Sequence, residues 1–308
     1  MEARPVSPHD DAGITRRALL IGGGAAVLAV AAGGVIAARE LPLRDWWNKA
    51  TGACGDPGPI PPAAGSPTRT GTFRSDVLGA DVGYALAVPP GHAIGDPLPV
   101  TFMLPGRGGT AAESFGSTRF PDFVAEGMAE RGVAPFALAA VDGGTSYWHP
   151  RASGEDRMRM LMDEFIPMCA DRWHMGEARR AVVGWSMGGY GAILAAEQHP
   201  TVFGAVAAAS PAIYRTYDEV RSAGGDEFDS AEDLAHYDVF ARVDALAGVP
   251  VRIDCGTADP FYPNDRAFAE ALPQPPAGEF FKGCHTGDSW RVVAPGQVDF
   301  LGTALAAS

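Results

Sequence analysis

The stretch Val182-Val183-Gly184-Trp185-Ser186-Met187-Gly188-Gly189-Tyr190-Gly191 decides the fold of this 308-residue chain. It contains the pattern G-x-S-x-G, in which a serine occupies a sharp turn between a strand and a helix. Small residues on both sides of Ser186 let the backbones of such a turn pass close to one another. A tight glycine turn capped by a serine is the alternative interpretation. The apolar run that ends at Trp185 and the Ala-rich run that begins after Ser186 favour the strand-turn-helix.

Outward from this turn, short β-branched runs alternate with longer amphipathic stretches from residue 70 onward. Such alternation is typical of a mainly parallel sheet covered by helices. The predicted strands are 71–75, 82–88, 98–104, 136–141, 181–185, 204–209, 249–255 and 279–282. The predicted helices are 120–131, 158–173, 188–199, 234–247, 264–272 and 289–307. The sequence therefore predicts one doubly wound α/β domain with an eight-stranded, mostly parallel sheet flanked by helices.

Composition and charge exclude several classes of protein. Hydrophobic residues make up 46% of the chain and charged residues 20%, which is the balance of a globular protein with a sizeable core. A coiled coil, a collagen-like fibre and a wholly disordered chain are therefore excluded. The formal net charge is -13, and a field of this sign repels phosphate backbones and anionic lipid headgroups. We expect no nucleic-acid partner.

Residues 1–38 are predicted to be an export signal. Arg16 and Arg17 stand directly before residues 18–38, which consist only of Ala, Gly, Leu, Ile and Val. A paired arginine before a mildly hydrophobic run resembles a twin-arginine signal, which the twin-arginine translocation machinery reads. An uncleaved anchor is the alternative, because about 20 apolar residues can span a bilayer, and a buried core helix is a third interpretation. We expect a secreted or cell-envelope protein, membrane-anchored if the signal is uncleaved.

The remaining chain divides into a predicted linker and a predicted catalytic domain. Residues 39–70 are rich in Pro and Gly, which is typical of an extended linker or a surface strap. The catalytic domain then covers residues 71–308. Four cysteines allow three disulfide pairings, and the sequence does not choose among them: Cys54, Cys169, Cys255 and Cys284. The last two each lie at or just past the end of a predicted strand.

A serine hydroxyl becomes an effective nucleophile only when a base removes its proton, so Ser186 requires a histidine. In folds with this turn, the partners follow in the order serine, acid, histidine. Four histidines precede Ser186, His199 belongs to the helix that follows it, and His236 lies in an acidic stretch before the seventh strand. His285 remains, in the loop between the last predicted strand and the last predicted helix. We therefore predict His285 as the base.

The acid that orients this histidine is expected after the seventh strand. Asp259 is the candidate, because it lies in the loop that follows residues 249–255. Its carboxylate would accept the second ring N–H of His285 and leave the other ring nitrogen free. Asp254 is the rival, although a residue still inside the strand is expected to point into the sheet. Asp265 is interpreted as a helix N-terminal charge.

Acyl transfer also needs N–H donors for the oxyanion of the tetrahedral intermediate. One donor is expected to be the backbone N–H of Met187, directly after the nucleophile. The other is expected from the loop after the third strand, where Arg107 stands among glycines at 104–109. A Gly-rich surface turn is the alternative for this loop.

Other features of the chain suggest no further chemistry. No Cys/His pair has zinc-ligand spacing, and no phosphate-binding or dinucleotide-binding glycine motif follows a strand. We expect neither a metal nor an organic cofactor. Residues 147–149, Tyr-Trp-His, either line a pocket or form a surface aromatic loop. Residues 225–229 are interpreted as a solvated cap segment.

Taken together, the chain resembles the α/β-hydrolase fold and, within it, the putative esterase family that includes esterase D and the antigen 85 mycolyltransferases. The resemblance is carried by residues 184–192, 255–261 and 285–291 and extends over about residues 70 to 305. It implies a serine hydrolase that acts on small-molecule esters, or on lipid or sugar esters, through an acyl-enzyme. An acyltransferase of the cell envelope is the alternative that it also implies.

Two positions depart from the patterns of these relatives. Pro105 and Gly106 stand where esterase D relatives show a His-Gly pair. Asp259 stands where the antigen 85 branch uses a Glu, which argues against mycolyl transfer. A non-catalytic adhesin on a hydrolase scaffold is a third hypothesis, and the complete set of Ser186, Asp259 and His285 argues against it.

The export signal can be tested by changing both Arg16 and Arg17 to Lys, which keeps the charge but removes the guanidinium groups. We expect the double variant to remain inside the cell as an uncleaved precursor, measured by immunoblotting of cell fractions. Arg4→Lys is the matched control and should be exported normally. Continued export of the double variant would contradict the twin-arginine assignment.

Overall fold

The computed structural model describes residues 47–62, 65–177 and 179–307, and the structural statements below concern these residues. The chain divides into two units, Met1–Thr51 and Gly52–Ser308. Residues 47–51 are the described part of the first unit, and residues 47–50 form a helical turn. The predicted signal at 1–38 lies outside the described residues. Within them, no helix is both long and apolar enough to cross a membrane. The predicted boundaries at residues 38 and 70 stay predictions.

An eight-stranded sheet forms the centre of the second unit. Its strands are β1 (Thr68–Ser75), β2 (Ala80–Ala87), β3 (Val100–Leu104), β4 (Ala137–Val141), β5 (Arg180–Trp185), β6 (Val206–Ala209), β7 (Val251–Gly256) and β8 (Phe280–Phe281). The spatial order is β1-β2-β4-β3-β5-β6-β7-β8, with β2 antiparallel to both neighbours and the other pairs parallel. The prediction of an eight-stranded, mostly parallel sheet is confirmed.

The chain reverses its winding direction at β3, because β4 and β5 lie on opposite sides of that strand. In open α/β sheets, ligands bind beyond the carboxyl ends of the strands at such a reversal. Leu104 of β3 lies opposite Gly184 of β5, so the loops after these two strands leave the sheet side by side. The loops after β7 and β8 reach the same edge, since Gly256 pairs with Phe281.

Helices cover both faces of the sheet. They are α1 (Ala111–Thr118), α2 (Phe120–Arg131), α3 (Arg157–Met160), α4 (Ile166–Trp173), α5 (Met187–Gln198), α6 (Tyr217–Ala223), α7 (Ala231–His236), α8 (Tyr262–Ala271) and α9 (Gly287–Ala306). A π-helical turn, Leu161–Phe165, joins α3 to α4. Buried residues of α1, α2 and α9 pack on one face, and those of α3, α4, α5 and α8 pack on the other.

The inner strands β3 to β7 are buried on both faces, which explains why they read as continuous apolar runs rather than as an alternating pattern. In β3, Phe102 and Leu104 belong to the core on one face, while Met103 belongs to the core on the other. In β5, Val182 belongs to the core that contains Phe102, and Val183 belongs to the core that contains Met103. This double burial holds the carboxyl ends of β3 and β5 rigidly in place.

The predicted helix at 234–247 is wrong. The structure has α7, then a break, then the 3₁₀ helix Val239–Leu246. The side chain of Asp238 explains the break, because it accepts from the N–H of Phe240 (3.0 Å) and so starts a new helix, whereas Ser230 caps the start of α7 through the N–H of Asp233. The helix α1 was not predicted, although the capping box formed by Thr110 and Glu113 marks its start.

Residues 52–62, called the strap below, are fastened to the domain beside the loop that carries His285. Cys54 forms a disulfide with Cys284, 230 residues further along the chain. The N–H of Gly58 donates to the carbonyl of Asp288 (2.9 Å). Cys169 and Cys255 are free and buried. The two cysteines near the strand ends, Cys255 and Cys284, are therefore not bonded to each other.

The strap disulfide is expected to contribute about 2–4 kcal/mol to the free energy of unfolding, because it constrains a very long loop of the unfolded chain. Cys54→Ser should lower the melting temperature by roughly 5–15 °C in differential scanning calorimetry. Reductant should lower the melting temperature of the wild type and of the control Cys169→Ala, and leave that of Cys54→Ser unchanged. Equal melting temperatures for wild type and Cys54→Ser would contradict this contribution.

Candidate active site

The turn after β5 places Ser186 in a backbone conformation that few side chains adopt. Its φ is 57° and its ψ is -124°, and a non-glycine residue at positive φ stores strain that the surrounding structure must hold. Two glycines make this turn possible by allowing close approach of backbones. A Cβ at Gly184 would collide with the carbonyl oxygen of Gly188, and a Cβ at Gly188 would collide with the carbonyl oxygen of Leu104. The serine hydroxyl is thereby raised above the carboxyl edge of the sheet.

The structure brings the three predicted residues into one hydrogen-bonded chain. The Nε2 atom of His285 lies 2.8 Å from the Oγ atom of Ser186, and its Nδ1 atom lies 2.8 Å from Oδ2 of Asp259. The carboxylate of Asp259 is buried, and its Oδ1 accepts the N–H of Phe261 (2.9 Å). Because an ionised carboxylate only accepts, the ring proton belongs on Nδ1 and leaves Nε2 to accept from the serine.

The rival acid, Asp254, lies inside β7, where its side chain makes structural hydrogen bonds. Its two carboxylate oxygens accept from Nε and Nη2 of Arg252 (2.8 Å each), from Nε2 of Gln297 (3.0 Å) and from the N–H of Glu279 (3.0 Å). Burial raises the pKa of Asp254 to about 6, although Arg252 lowers it. Its ion pair with Arg252 lies within β7, and the hydrogen bond that it accepts from Gln297 joins β7 to α9.

The predicted position of Asp265 at the N-terminal end of a helix is confirmed, but its surroundings disfavour the charged form. The residue does lie in the first turn of α8, but its side chain is fully buried. Burial, together with the negative charge of Asp259, raises the pKa of Asp265 well above its usual value. Both effects favour the protonated form of Asp265 over the carboxylate.

Met187 and the loop of Arg107, the two predicted sources of oxyanion donors, both adjoin Ser186. Met187 is the first residue of α5, so its N–H lies outside the hydrogen bonds of the helix, at the positive end of the helix dipole. The loop that carries Arg107 also lies close, since a Cβ on Gly106 would lie 3.5 Å from Cβ of Ser186. Within the described part of the chain, neither the N–H of Met187 nor that of Arg107 has a hydrogen-bond acceptor.

The side chain of Arg107 ties this loop to the segment at 225–229. Its guanidinium pairs with Asp226 and with the buried carboxylate of Glu227 (3.2 Å). Phe228 is also buried, so the interpretation of this segment as solvated is wrong for these two positions. The burial of this segment could have been predicted from Phe228, an apolar residue within an acidic stretch.

Residues 147–149 are buried and do not form a surface loop. His149 stacks between the rings of Phe228 (4.8 Å between centroids) and Tyr237 (4.5 Å). Burial lowers the pKa of His149. Tyr147 and Trp148 both have positive φ, 58° and 57°, which places a second strained turn at this edge of the sheet.

A cavity of about 600 Å³ adjoins the Arg107 loop. Its walls come from the start of β2, the loops after β3 and β4, and the segment before α3, and include Gly108, Gly109, Asp142 and Arg157. Ser186 and His285 are not among the described residues that line it. The cavity therefore lies beside the serine site rather than over it. Among the described residues, no cluster of His, Cys, Asp and Glu side chains could hold a metal ion.

A mostly parallel eight-stranded sheet, with a serine at a strained strand-to-helix turn and a histidine on its hydroxyl, defines a serine hydrolase of the α/β-hydrolase fold. The family model described as "Putative esterase" matches residues 75–280, which is well over half of the chain. The chain belongs to this family. Among curated proteins, none matches the chain.

Three solved structures illustrate the shared fold. A ferulic acid esterase superposes with a TM-score of 0.68 at 20% identity, covering 78% of this chain and 99% of that one. The S-formylglutathione hydrolase of Agrobacterium tumefaciens superposes with a TM-score of 0.64 at 18% identity, covering 79% of this chain and 97% of that one. MPT51 of Mycobacterium tuberculosis superposes with a TM-score of 0.63 at 18% identity, covering 78% of this chain and 99% of that one. At these identities the similarity is one of fold.

The two aspartates of the β7 region should respond differently to removal of their charge. Asp259→Asn should lower kcat by as much as about 10⁴-fold with little change in KM, because the amide favours the wrong tautomer of His285. Asp254→Asn should keep near-normal kcat but lower the melting temperature by roughly 5–10 °C, because Arg252 loses its buried partner. Steady-state kinetics and calorimetry on both variants show which aspartate orients His285. A loss of turnover in Asp254→Asn with normal turnover in Asp259→Asn would reverse the assignment.

Proposed function

We propose that this protein is an exported serine esterase that hydrolyses small-molecule carboxylic esters through a Ser186–His285–Asp259 triad and an acyl-enzyme. The observation that carries the proposal is the hydrogen-bonded chain from the Ser186 hydroxyl through His285 to Asp259. The strained turn presents the hydroxyl, and we assign the oxyanion to the N–H groups of Met187 and Arg107, which have no hydrogen-bond acceptor among the described residues.

In the acylation step, Oγ of Ser186 attacks the ester carbonyl carbon while Nε2 of His285 removes the hydroxyl proton. The carbonyl π electrons move to oxygen, and the resulting oxyanion accepts hydrogen bonds from the N–H groups of Met187 and Arg107. His285 then returns its proton to the leaving alkoxide, so the C–O bond of the ester breaks and the alcohol departs. The buried carboxylate of Asp259 stabilises the imidazolium throughout.

Deacylation repeats these steps with water as the nucleophile. Nε2 of His285 removes a proton from water, the hydroxyl oxygen adds to the acyl carbonyl, and the same two N–H groups receive the oxyanion. Collapse of this intermediate breaks the bond to Ser186, and His285 returns the proton to Oγ. Loss of one oxyanion donor typically costs about 2.7–4 kcal/mol in the barrier, so the Arg107 loop matters to both steps.

Export is part of this proposal and is supported by two observations. The Arg16-Arg17 pair precedes a mildly hydrophobic run in the sequence. The disulfide between Cys54 and Cys284 is a bond that persists in oxidising compartments and is rare in reducing ones. A twin-arginine route would deliver the folded domain to such a compartment.

The nucleophile can be identified with a fluorophosphonate probe and peptide mass spectrometry. We expect labelling at Ser186 alone, and we expect Ser186→Ala to lose nearly all turnover and all labelling. Ser222→Ala, which removes an exposed serine on α6, is the matched control and should behave as wild type. Labelling at another serine, or full activity of Ser186→Ala, would rule out the proposed mechanism.

Substrate preference follows from a panel of p-nitrophenyl esters of increasing acyl length, assayed with and without an added alcohol. If the protein is a hydrolase, free acid should be the main product both with and without the added alcohol. A predominance of acylated alcohol would instead identify the protein as an acyltransferase that uses the same three residues.

A further inference from the structure

The turn that carries Arg107 has few side chains with which to hold itself in place. It reads Gly106-Arg107-Gly108-Gly109, so Arg107 is the one residue of the four with a side chain. Glycine gives a turn more conformational freedom than other residues do, because it has no Cβ, and Gly108 uses this freedom with a φ of 70°. A backbone N–H in such a turn keeps one position only if further contacts anchor it.

Backbone hydrogen bonds anchor the second half of this turn. The N–H of Gly109 donates to the carbonyl of Gly106 (3.0 Å), and the N–H of Gly108 donates to the carbonyl of Gly144 (2.6 Å). The N–H of Gly143 donates in turn to the carbonyl of Gly109 (3.1 Å). These bonds fasten Gly108 and Gly109 to the loop after β4. None of them involves the N–H of Arg107.

The side chain of Arg107 supplies the anchor for the first half of the turn. Its Nη1 atom donates to Oε1 of Glu227 (3.2 Å), 120 residues further along the chain, and its guanidinium also pairs with Asp226. The side chain of Glu227 is 2% exposed, whereas that of Asp226 is 62% exposed. An ion pair shielded from water is stronger than an exposed one, which typically contributes little. Glu227 is therefore the main partner of Arg107.

Glu227 is itself fixed in the domain. Its Oε2 atom accepts the N–H of Gly225 (3.1 Å), so both carboxylate oxygens have a partner. Its carbonyl oxygen lies 3.3 Å from Nε2 of the buried His149. The next residue, Phe228, is also buried and stacks on the same imidazole, with centroids 4.8 Å apart. The carboxylate that binds Arg107 thus belongs to a segment packed into the core.

We propose that Glu227 is a positioning residue that holds the N–H of Arg107 beside the Ser186 hydroxyl through its ion pair with the Arg107 side chain. The inference rests on the proposed function, which assigns this N–H as an oxyanion donor. The oxyanion exists in the tetrahedral intermediate and the transition states that flank it, and not in the bound ester. A displaced N–H therefore lowers kcat and leaves KM nearly unchanged.

Two substitutions in the acidic segment test the proposal. Glu227→Ala removes the buried partner, and we expect kcat and the rate of fluorophosphonate labelling of Ser186 to fall by roughly 10- to 100-fold, because a small misplacement of a catalytic group has effects of this size. Asp226→Asn is the matched control, since it removes the charge of the exposed partner of the same guanidinium. Its kcat should stay within about threefold of wild type.

Arg107→Ala examines the same ion pair from its other side and keeps the backbone N–H. We expect a fall in kcat similar to that of Glu227→Ala, and the double variant should be no slower than the slower single one, because both remove the same contact. A direct effect of the Arg107 charge on the oxyanion predicts opposite signs, since loss of Glu227 would then free the positive charge and raise kcat. Because the Arg107 side chain is 37% exposed, this variant keeps the test available if Glu227→Ala does not fold.

A trifluoromethyl ketone gives a readout that a purely structural role of Glu227 would not change. Addition of the Ser186 hydroxyl to such a ketone produces a tetrahedral oxyanion that is not hydrolysed. We expect the inhibition constant of Glu227→Ala to rise by about the factor by which its kcat/KM falls, measured on protein that calorimetry shows to be folded. Lower stability alone would reduce the melting temperature and leave both quantities of the folded enzyme unaltered.

The outcomes separate the inference from the proposed function. Absence of labelling of wild-type Ser186 would overturn the proposed function and the inference with it. Normal labelling of the wild type, together with wild-type kcat in folded Glu227→Ala or in Arg107→Ala, would overturn the inference alone. A raised kcat in Glu227→Ala, effects that multiply in the double variant, or an Asp226→Asn variant as slow as Glu227→Ala would equally overturn it.

Discussion

The strained backbone of Ser186 is the constraint on which the rest of the site depends. A non-glycine residue at positive φ persists only where its neighbours hold it, and here β5 and α5 do so from both sides. The glycines at 184 and 188 let the turn close against β3, which brings the loop of Arg107 beside the serine. The strain at Ser186 and the closeness of the loop after β3 are therefore consequences of one local geometry.

Three aspartates near the end of β7 show how environment assigns different roles to the same side chain. Asp254 is held ionised by Arg252 and joins the sheet to α9. Asp259 accepts from His285 and from a backbone N–H, and burial raises the pKa of Asp265 well above its usual value. Environments that shift the pKa values of neighbouring acids apart are a recurrent way of dividing catalytic and supporting roles between identical side chains. Here only one of the three reaches the histidine.

The loop of His285 is held at several points around the ring. The disulfide at Cys284 anchors the residue directly before it to the strap, and the N–H of Cys284 donates to Ser289 (2.9 Å) at the start of α9. Thr286 caps the same helix. The histidine therefore stands on a short segment whose two ends are both fixed, which limits the conformational entropy that the site must lose to reach a reactive geometry.

Much of this arrangement was predictable from the sequence, because it depends on local patterns. The elbow around Ser186, the eight strands, most of the helices and the placement of His285 after the last strand all follow from residue spacing and chain order. Side-chain direction and long-range pairing were not predictable in the same way. Whether Asp265 is buried, that Glu227 binds Arg107, and that Cys54 joins Cys284 each depend on residues distant in sequence. Burial and partner choice arise only when the two cores close around the sheet, so the tertiary structure alone decided them.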